Sequence, residues 1–144
     1  MPGHKPFFPT PQDAESAFYD AIERADLDAM MSVWAEDEEI VCVHPGGPRL
    51  SGFARVREGW RVTFTGGPRL KIRVSEALRL QGPLVAVHSV LENIVVAGEG
   101  ALRVPVIATN IYLRTATGWR MLSHHASPAP SGPEVVVPSQ RTLH

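Results

Sequence analysis

The sequence predicts an α+β fold in which three N-terminal helices pack on a curved antiparallel sheet. Apolar residues recur at intervals of three and four up to about residue 66, which is typical of helices with one buried face. From residue 70 onward the apolar residues alternate with polar ones, as they do in strands. The chain has 144 residues, 44% of them hydrophobic, which is enough for one core.

The first helix is predicted to begin at residues 10–13, where Thr10 caps the helix and Pro11 takes its first position. Asp26 then caps a second, short helix. The apolar stripes of the two helices consist of Ala14, Ala17, Phe18, Ala21, Ile22 and Ala25, and of Leu27, Met30, Met31 and Trp34.

A short strand is expected at residues 40–44, closed by a turn at residues 45–48. The third helix follows Ser51 and Gly52 and ends at the glycines before Pro68. Its apolar positions are Phe53, Val56, Trp60 and Phe64.

Four further strands are predicted to form an antiparallel meander. The first shows strict alternation, and its core face is expected to carry Leu70, Ile72, Val74, Leu78 and Leu80. The next three cover residues 84–96, 102–114 and 119–127. Two of these are apolar on both faces, so something must cover the outer face of the sheet.

A second copy of the chain is the simplest cover, which predicts a homodimer through the sheet face. The alternative is that the tail, including Val135, Val136 and Val137, folds back over this face. The proline content of residues 1–9 and 129–144 predicts extended termini around a single domain at residues 10–128.

Composition excludes several function classes. The 14 basic and 15 acidic residues nearly balance, which argues against a general nucleic-acid binder. The single cysteine excludes an internal disulfide and fits a reducing compartment. No stretch approaches the roughly 18 consecutive apolar residues of a membrane helix. We therefore expect a cytoplasmic protein that binds neither nucleic acid nor membrane.

Charge is uneven along the chain. Residues 13–39 hold ten acids and one base, whereas residues 49–79 hold eight bases and two acids. Such blocks can steer an anionic ligand or orient subunits, but we interpret them as solvated faces that offset one another.

Motifs with a built-in mechanism are absent, so the candidate residues are polar side chains on apolar strands. His44 ends the first strand, where imidazole can act as a base near neutral pH or can bond the turn that follows. Glu92 interrupts an apolar run, and a buried carboxylate is costly unless it is paired or faces a cavity. The alternative for Glu92 is an ion pair with an arginine across the sheet.

Asn110 and Tyr112 are two residues apart, so they share one face of a strand. His124 and His125 are adjacent and must point to opposite faces, so only one of them can enter a pocket. No pair of ligands has a spacing that requires a metal, and nothing in the sequence requires a cofactor.

The chain resembles the nuclear transport factor two-like superfamily, most closely its SnoaL-like and ketosteroid-isomerase-like branch. Three segments carry the resemblance in order and spacing: the helix junction at residues 24–37, Val-His-Pro-Gly-Gly at 43–47 followed by Leu-Ser-Gly at 50–52 and Trp60, and Gly-Trp-Arg-Met-Leu-Ser-His-His-Ala-Ser-Pro at 118–128.

This resemblance implies a cystatin-like, cone-shaped α+β barrel with a pocket between sheet and helices, usually in a dimer. By position, the base of the isomerase branch falls on His44 and its late-strand acid falls on Asn110. Its helix tyrosine falls on Phe18, with Tyr19 one residue off the required face. The related kinase association domains line the pocket with arginines, two of which Ala126 and Asn110 replace here.

The expected function is therefore a SnoaL-like small-molecule pocket that transfers a proton on an apolar carbonyl compound. His44 is the predicted base, Asn110 or Tyr112 the oxyanion donor, and Glu92 or His124 the group that orients the base. The apolar walls are assigned to Phe18, Trp34, Trp60 and Phe64. The alternative is a non-catalytic ligand-binding or dimeric assembly module.

Overall fold

The computed structural model describes residues 5–98 and 102–130. The three helices and six strands follow one another as α1 (Pro11–Arg24), α2 (Leu27–Val33), β1 (Val41–Val43), β2 (Arg49–Ser51), α3 (Phe53–Gly66), β3 (Leu70–Gln81), β4 (Val85–Val96), β5 (Leu102–Thr115) and β6 (Gly118–Pro128). The predicted α+β class is confirmed, because the helices cover one face of a single six-stranded sheet.

Both predicted helix caps are present. The Thr10 hydroxyl accepts a hydrogen bond from the backbone N–H of Asp13 (3.0 Å), and the Asp26 carboxylate accepts one from that of Ala29 (3.0 Å). Between these helices Ala25 adopts the left-handed conformation, with φ of 52°. The caps therefore fix where α1 ends and α2 begins.

The strands lie in the order β2-β1-β6-β5-β4-β3. Strands β3 to β6 form the predicted antiparallel meander, and β1 pairs with β6 in parallel. The sequence pattern did not indicate β2, a three-residue strand that pairs with β1 where a turn and a helix start were expected. The parallel pairing with β6 places β1 between β2 and the last strand.

A β-bulge in β3 overturns part of the predicted alternation. The pairing with β4 slips by one residue between Ser75 and Leu78, and Glu76 takes a positive φ of 49°. Leu78 and Leu80, expected in the core, consequently lie on the outer face and are each 73% exposed. Arg79 turns inward in their place, because an extra residue exchanges the two faces of a strand.

The core lies between the helices and the inner face of the sheet. Phe8 packs into it and pairs with Gly118. The valines at 135–137, which were the alternative cover for the outer face, lie outside the described residues. Within the described part of the chain, no helix is both long and apolar enough to cross a membrane.

Candidate functional site

Four buried polar side chains form a continuous chain of hydrogen bonds inside the cone. The Tyr19 hydroxyl donates to Glu92 Oε2 (2.6 Å) and accepts from Asn110 Nδ2 (2.9 Å). Asn110 Oδ1 accepts from His124 Nδ1 (2.6 Å). None of the four residues is more than 7% exposed. One helix and three strands therefore bring Tyr19, Glu92, Asn110 and His124 to a single site.

Two of the four residues belong to the inner row of the sheet because of their register. Asn110 on β5 lies directly opposite His124 on β6. Glu92 on β4 lies two inner-face rows away, opposite Val106, with the Val90–Ala108 pair between the two rows. Tyr19 on α1 brings its hydroxyl to these strand residues. The resemblance placed Tyr19 one residue off the required face, but its side chain does enter the site. Phe18, expected there, packs edge-on against Tyr19 at 4.9 Å between ring centroids.

A second stripe on α1 could have revealed Tyr19. Glu15, Tyr19 and Ile22 are spaced like one helical face, and all three are buried beside the predicted stripe. The buried face of α1 is thus wider than the alanine-rich stripe alone, which is why two polar residues enter the interior.

The protonation of this chain follows from its burial. Burial raises the pKa of Glu92 to about 7, although the hydrogen bond from Tyr19 opposes the shift. Burial and the neighbouring Glu92 also raise the pKa of Tyr19, which keeps its hydroxyl protonated at neutral pH. The predicted alternative for Glu92, an ion pair with an arginine, is wrong among the described residues, because its partner is Tyr19.

His124 is neutral at physiological pH. Burial lowers its pKa to about 3, with the neighbouring His44 and His125 acting in the same direction. Its Nδ1 donates to Asn110, so the proton lies on Nδ1 and the lone pair lies on Nε2. His124 points inward and His125 is exposed on the outer face, as their adjacency predicts.

His44 lies apart from this chain. Its ring packs against Trp60 (4.5 Å between centroids), and its Nε2 is 3.7 Å from Cys42 Sγ. Burial lowers the pKa of His44, so the imidazole is neutral at pH 7. Across residues 5–98 and 102–130, no hydrogen bond joins it to Glu92, Asn110 or His124. The turn after β1 is bonded by the backbone carbonyl of His44, not by its side chain.

The predicted aromatic walls separate into two groups. Trp60 packs against His124 (6.1 Å) and Phe18 (5.7 Å), and the half-buried Phe64 packs against Trp60 (5.5 Å). Trp34 is fully buried behind Phe18 at 6.5 Å. Trp60 thus joins Phe18, His124 and Phe64 in one aromatic cluster, whereas Trp34 packs behind Phe18.

Tyr112 shares the inner face with Asn110 but belongs to a different cluster. Its ring lies 4.9 Å from that of His88, and its buried hydroxyl has no hydrogen-bond partner in the described structure. His88 Nδ1 contacts Glu15 Oε1 (2.5 Å), and the same carboxylate accepts from Arg79 Nε (3.2 Å) and Nη2 (2.8 Å). The sequence reasoning missed this Arg79–Glu15–His88 cluster.

Glu15 is ionised, in contrast to Glu92. Burial alone would raise the pKa of Glu15, but the hydrogen bonds and charges of His88 and Arg79 outweigh that effect and lower it. Since a carboxylate only accepts, His88 donates through Nδ1.

The inner face becomes more open toward one end of the sheet. Ile72, Val74, Ile94 and Val104 share the inner face with Glu92 or Val106, yet all four are only half-buried. Together they form a half-buried apolar patch next to Glu92, here called the vestibule. Among the described residues, no group of three histidine, cysteine or acidic side chains is placed to hold a metal ion.

Comparison with known proteins identifies related chains. A family model described as a SnoaL-like domain matches residues 12–131. A Thiobacillus denitrificans structure named as a candidate calcium/calmodulin-dependent protein kinase type II association domain is 41% identical, with a TM-score of 0.81, and the match covers 88% of this chain and all of that one. A Streptomyces avermitilis structure, named as a candidate dehydratase of the NTF2-like family, is 31% identical with a TM-score of 0.76, over 82% and 92% of the two chains.

A curated relative, F-box protein SKIP8 of Arabidopsis thaliana, is 25% identical over 136 residues. The match covers 87% of this chain and 53% of that protein, so the chain spans about half the length of this relative.

Proposed function

Because this chain belongs to the SnoaL-like domain family, we propose that it binds a small apolar carbonyl compound at the Tyr19 hydroxyl and transfers a proton on it. One observation carries the proposal: a tyrosine hydroxyl held between a carboxyl group with a pKa of about 7 and an amide, next to the apolar vestibule. Hydrogen-bond donors fixed in a dry site are suited to stabilise an oxyanion.

The chemistry requires a donor for the oxygen and a base for the carbon. A base takes a proton from the carbon beside the carbonyl, and the electron pair of that C–H bond moves onto the carbonyl oxygen. In the complex, the protonated form of Glu92 donates to the Tyr19 hydroxyl, whose single O–H then donates to this oxygen, and return of the proton to another carbon completes an isomerisation. The carboxyl group of Glu92 is present in its donor form because its pKa lies near the working pH.

His44 is proposed as the base, and His124 as a positioning residue. Both imidazoles are neutral at pH 7, and both pack against Trp60. His44 is the more exposed of the two, so it can exchange its proton with water between turnovers. His124 holds the Asn110 amide, which in turn orients the Tyr19 hydroxyl.

The ligand is proposed to enter along the vestibule. Its side chains are apolar and it lies next to the Tyr19–Glu92 pair, which favours a mainly hydrocarbon molecule with one polar end. The candidate dehydratase from Streptomyces avermitilis, 31% identical to this chain, supports a reaction of this general kind.

The test is a thermal-shift and turnover screen with cyclic enones and aromatic ketoesters, because a ligand that binds only the native state raises its melting temperature. Tyr19→Phe is expected to abolish the ligand-induced shift and to slow turnover by about 100-fold, as loss of an oxyanion donor does. Tyr112→Phe is the matched control, since it removes a buried hydroxyl that has no partner. His44→Ala should stop turnover while leaving the melting temperature nearly unchanged.

Two results would count against this function. One is a flat response to every compound. The other is an equal effect of Tyr19→Phe and Tyr112→Phe on a compound that does bind. A large loss of stability in His44→Ala would reassign His44 to a structural role.

A second candidate function, a dimeric assembly module, is favoured by the outer face of the sheet. The bulge in β3 adds Leu78 and Leu80 to Ile107 on that face, with exposed fractions of 73%, 73% and 43%. Apolar side chains gathered on one exposed sheet face are typical of an interface. The similarity to the Thiobacillus denitrificans structure named as a candidate association domain, 41% identical to this chain, also supports an assembly role.

The proposed homodimer is tested separately from the ligand site. Ile107→Glu is expected to convert the dimer to a monomer in sedimentation experiments, because it places two charges in the interface. Val62→Glu, at an exposed apolar residue of α3, is the control. A wild-type monomer at micromolar concentration would contradict the dimer.

A further inference from the structure

A groove of about 650 Å³ crosses the outer face of the sheet at its vestibule end. It lies where β3 begins, β4 ends and β5 begins, and on the opposite face from the Tyr19 chain, since Asn93 in its floor directly follows Glu92. Its lining includes Glu23, Lys71, Arg73, Asn93, Val95 and Arg103.

Strand register brings three cations around one point of this groove. Lys71 lies opposite Val95, and Val95 lies opposite Arg103, so the two cations flank Val95 in a single row. Neighbouring strands are about 4.8 Å apart, which puts the Lys71 and Arg103 backbones about 10 Å apart. Arg73 occupies the adjacent row, opposite Asn93. Side chains of this length can converge over Val95.

These cations have no ion-pair partner among the described residues, unlike several other arginines of the chain. Glu23 is the acid in the lining, and its Oε2 already accepts from the backbone N–H of Ile72 (3.0 Å). Ser75 accepts from the Asn93 amide (2.8 Å), which leaves its own O–H free to donate. The groove therefore presents an excess of positive charge and at least one free hydroxyl donor.

We propose that this groove binds a small organic anion carrying two or more negative charges, of the class of phosphate esters and polycarboxylates, with its apolar part on Val95. Arg73 and Arg103 offer planar guanidinium groups, which match phosphate and carboxylate oxygens in pairs. Lys71 adds a third charge. The groove contains no residue of the Tyr19 chain, so the test of anion binding is independent of the test of the proposed reaction.

The binding test is a titration of the isotope-labelled full chain, followed by NMR, with pyrophosphate and with citrate as probes. Saturable shifts are expected at Lys71, Arg73, Asn93 and Arg103, and they should weaken as salt is raised. Arg73→Gln and Arg103→Gln should each weaken binding about fivefold, which is the upper range for one exposed charge pair. Arg57→Gln, an exposed arginine on α3, is the matched control and should bind like the wild type.

A second experiment distinguishes a lipid headgroup from a soluble anion as the natural ligand. Vesicles containing anionic phospholipid, competed by pyrophosphate, would assign the same groove to a lipid headgroup, and binding of the free probes alone would assign it to a soluble ligand. Either result supports the site. Shifts that do not saturate, or an equal loss of binding in Arg57→Gln and Arg73→Gln, would overturn it.

Discussion

Two buried carboxyl groups lie in the interior of this cone, and their pKa values are shifted in opposite directions. Glu15 on α1 pairs with Arg79 and His88 and is ionised, whereas Glu92 on β4 bonds the Tyr19 hydroxyl and has a pKa of about 7. Both are nearly inaccessible to solvent. Burial therefore does not decide the charge of these groups; the presence of a cation does.

The cation reaches Glu15 because of the bulge in β3. Without the extra residue near Glu76, the alternation would place Arg79 on the outer face and leave Glu15 without its guanidinium partner. No such cation reaches Glu92 among the described residues. One cluster is consequently suited to hold the fold together, and the other is left with a proton that it can exchange.

Removal of the charged member of the first cluster should have the largest effect. Glu15→Gln is expected to cost about 3 kcal/mol of unfolding free energy, because it deprives the buried His88 and the partly exposed Arg79 of their shared carboxylate acceptor. Since the pKa of Glu15 is lowered by folding, this stabilisation is present above pH 4.5 and is lost as the pH falls through its lower folded value. Urea unfolding at pH 7 and pH 3 measures both effects.

Glu58→Gln provides the control for that substitution. Glu58 pairs with Arg61 on the exposed side of α3, and its loss should leave the urea midpoint unchanged. Equal destabilisation by Glu15→Gln and Glu58→Gln would show that the contacts of Glu15 stabilise the fold no more than an exposed ion pair does.

The second cluster should respond to pH in the opposite sense. The pKa of Glu92 is raised from 4.5 to about 7 by folding, so the folded state binds the proton more tightly and wild-type stability falls as the pH rises through this window. Relative to Glu92→Gln, the wild type should lose about 3 kcal/mol between pH 4.5 and pH 8. The comparison is made as a difference between the two proteins because His124 also titrates. A difference that stays constant with pH would mean that Glu92 remains charged.

The smallest expected effect concerns the bulge itself. Glu76 has a positive φ of 49°, which is unfavourable for a side chain with a β-carbon, and Glu76→Gly should stabilise the protein by up to about 1 kcal/mol. Glu76→Ala keeps the unfavourable backbone and should match the wild type. Thermal unfolding of the three proteins measures the effect, and destabilisation by glycine would indicate that the Glu76 side chain has a role of its own.

Much of the fold could be predicted from local signals. The caps at Thr10 and Asp26 and the change of period near residue 70 depend on residues close in sequence, and these features are present as expected. The bulge could not be predicted in the same way. Leu78 and Leu80 continue the apolar alternation, and only the pairing with β4 reveals that one residue is inserted between the two halves of the strand.

The candidate site was predicted in part. Glu92 and Asn110 stand out as polar residues within apolar runs, and the inward position of one of the two adjacent histidines follows from strand geometry. The spacing of Glu15, Tyr19 and Ile22 could have indicated that Tyr19 is buried, but it does not indicate what the hydroxyl binds, because the two partners lie 73 and 91 residues away. Contacts of that length depend on how the elements pack.

The parallel pairing of β1 with β6 has a consequence for the order of folding. Val41 pairs with Ser123, so the sheet closes only after nearly the whole domain has been synthesised. Contacts so distant along the chain carry a large loop-closure entropy and slow the search for the native state. His124 lies on this closing strand, so the hydrogen-bond chain through Tyr19 forms only in the last step of assembly, and a nascent chain that stops before β6 has no such site.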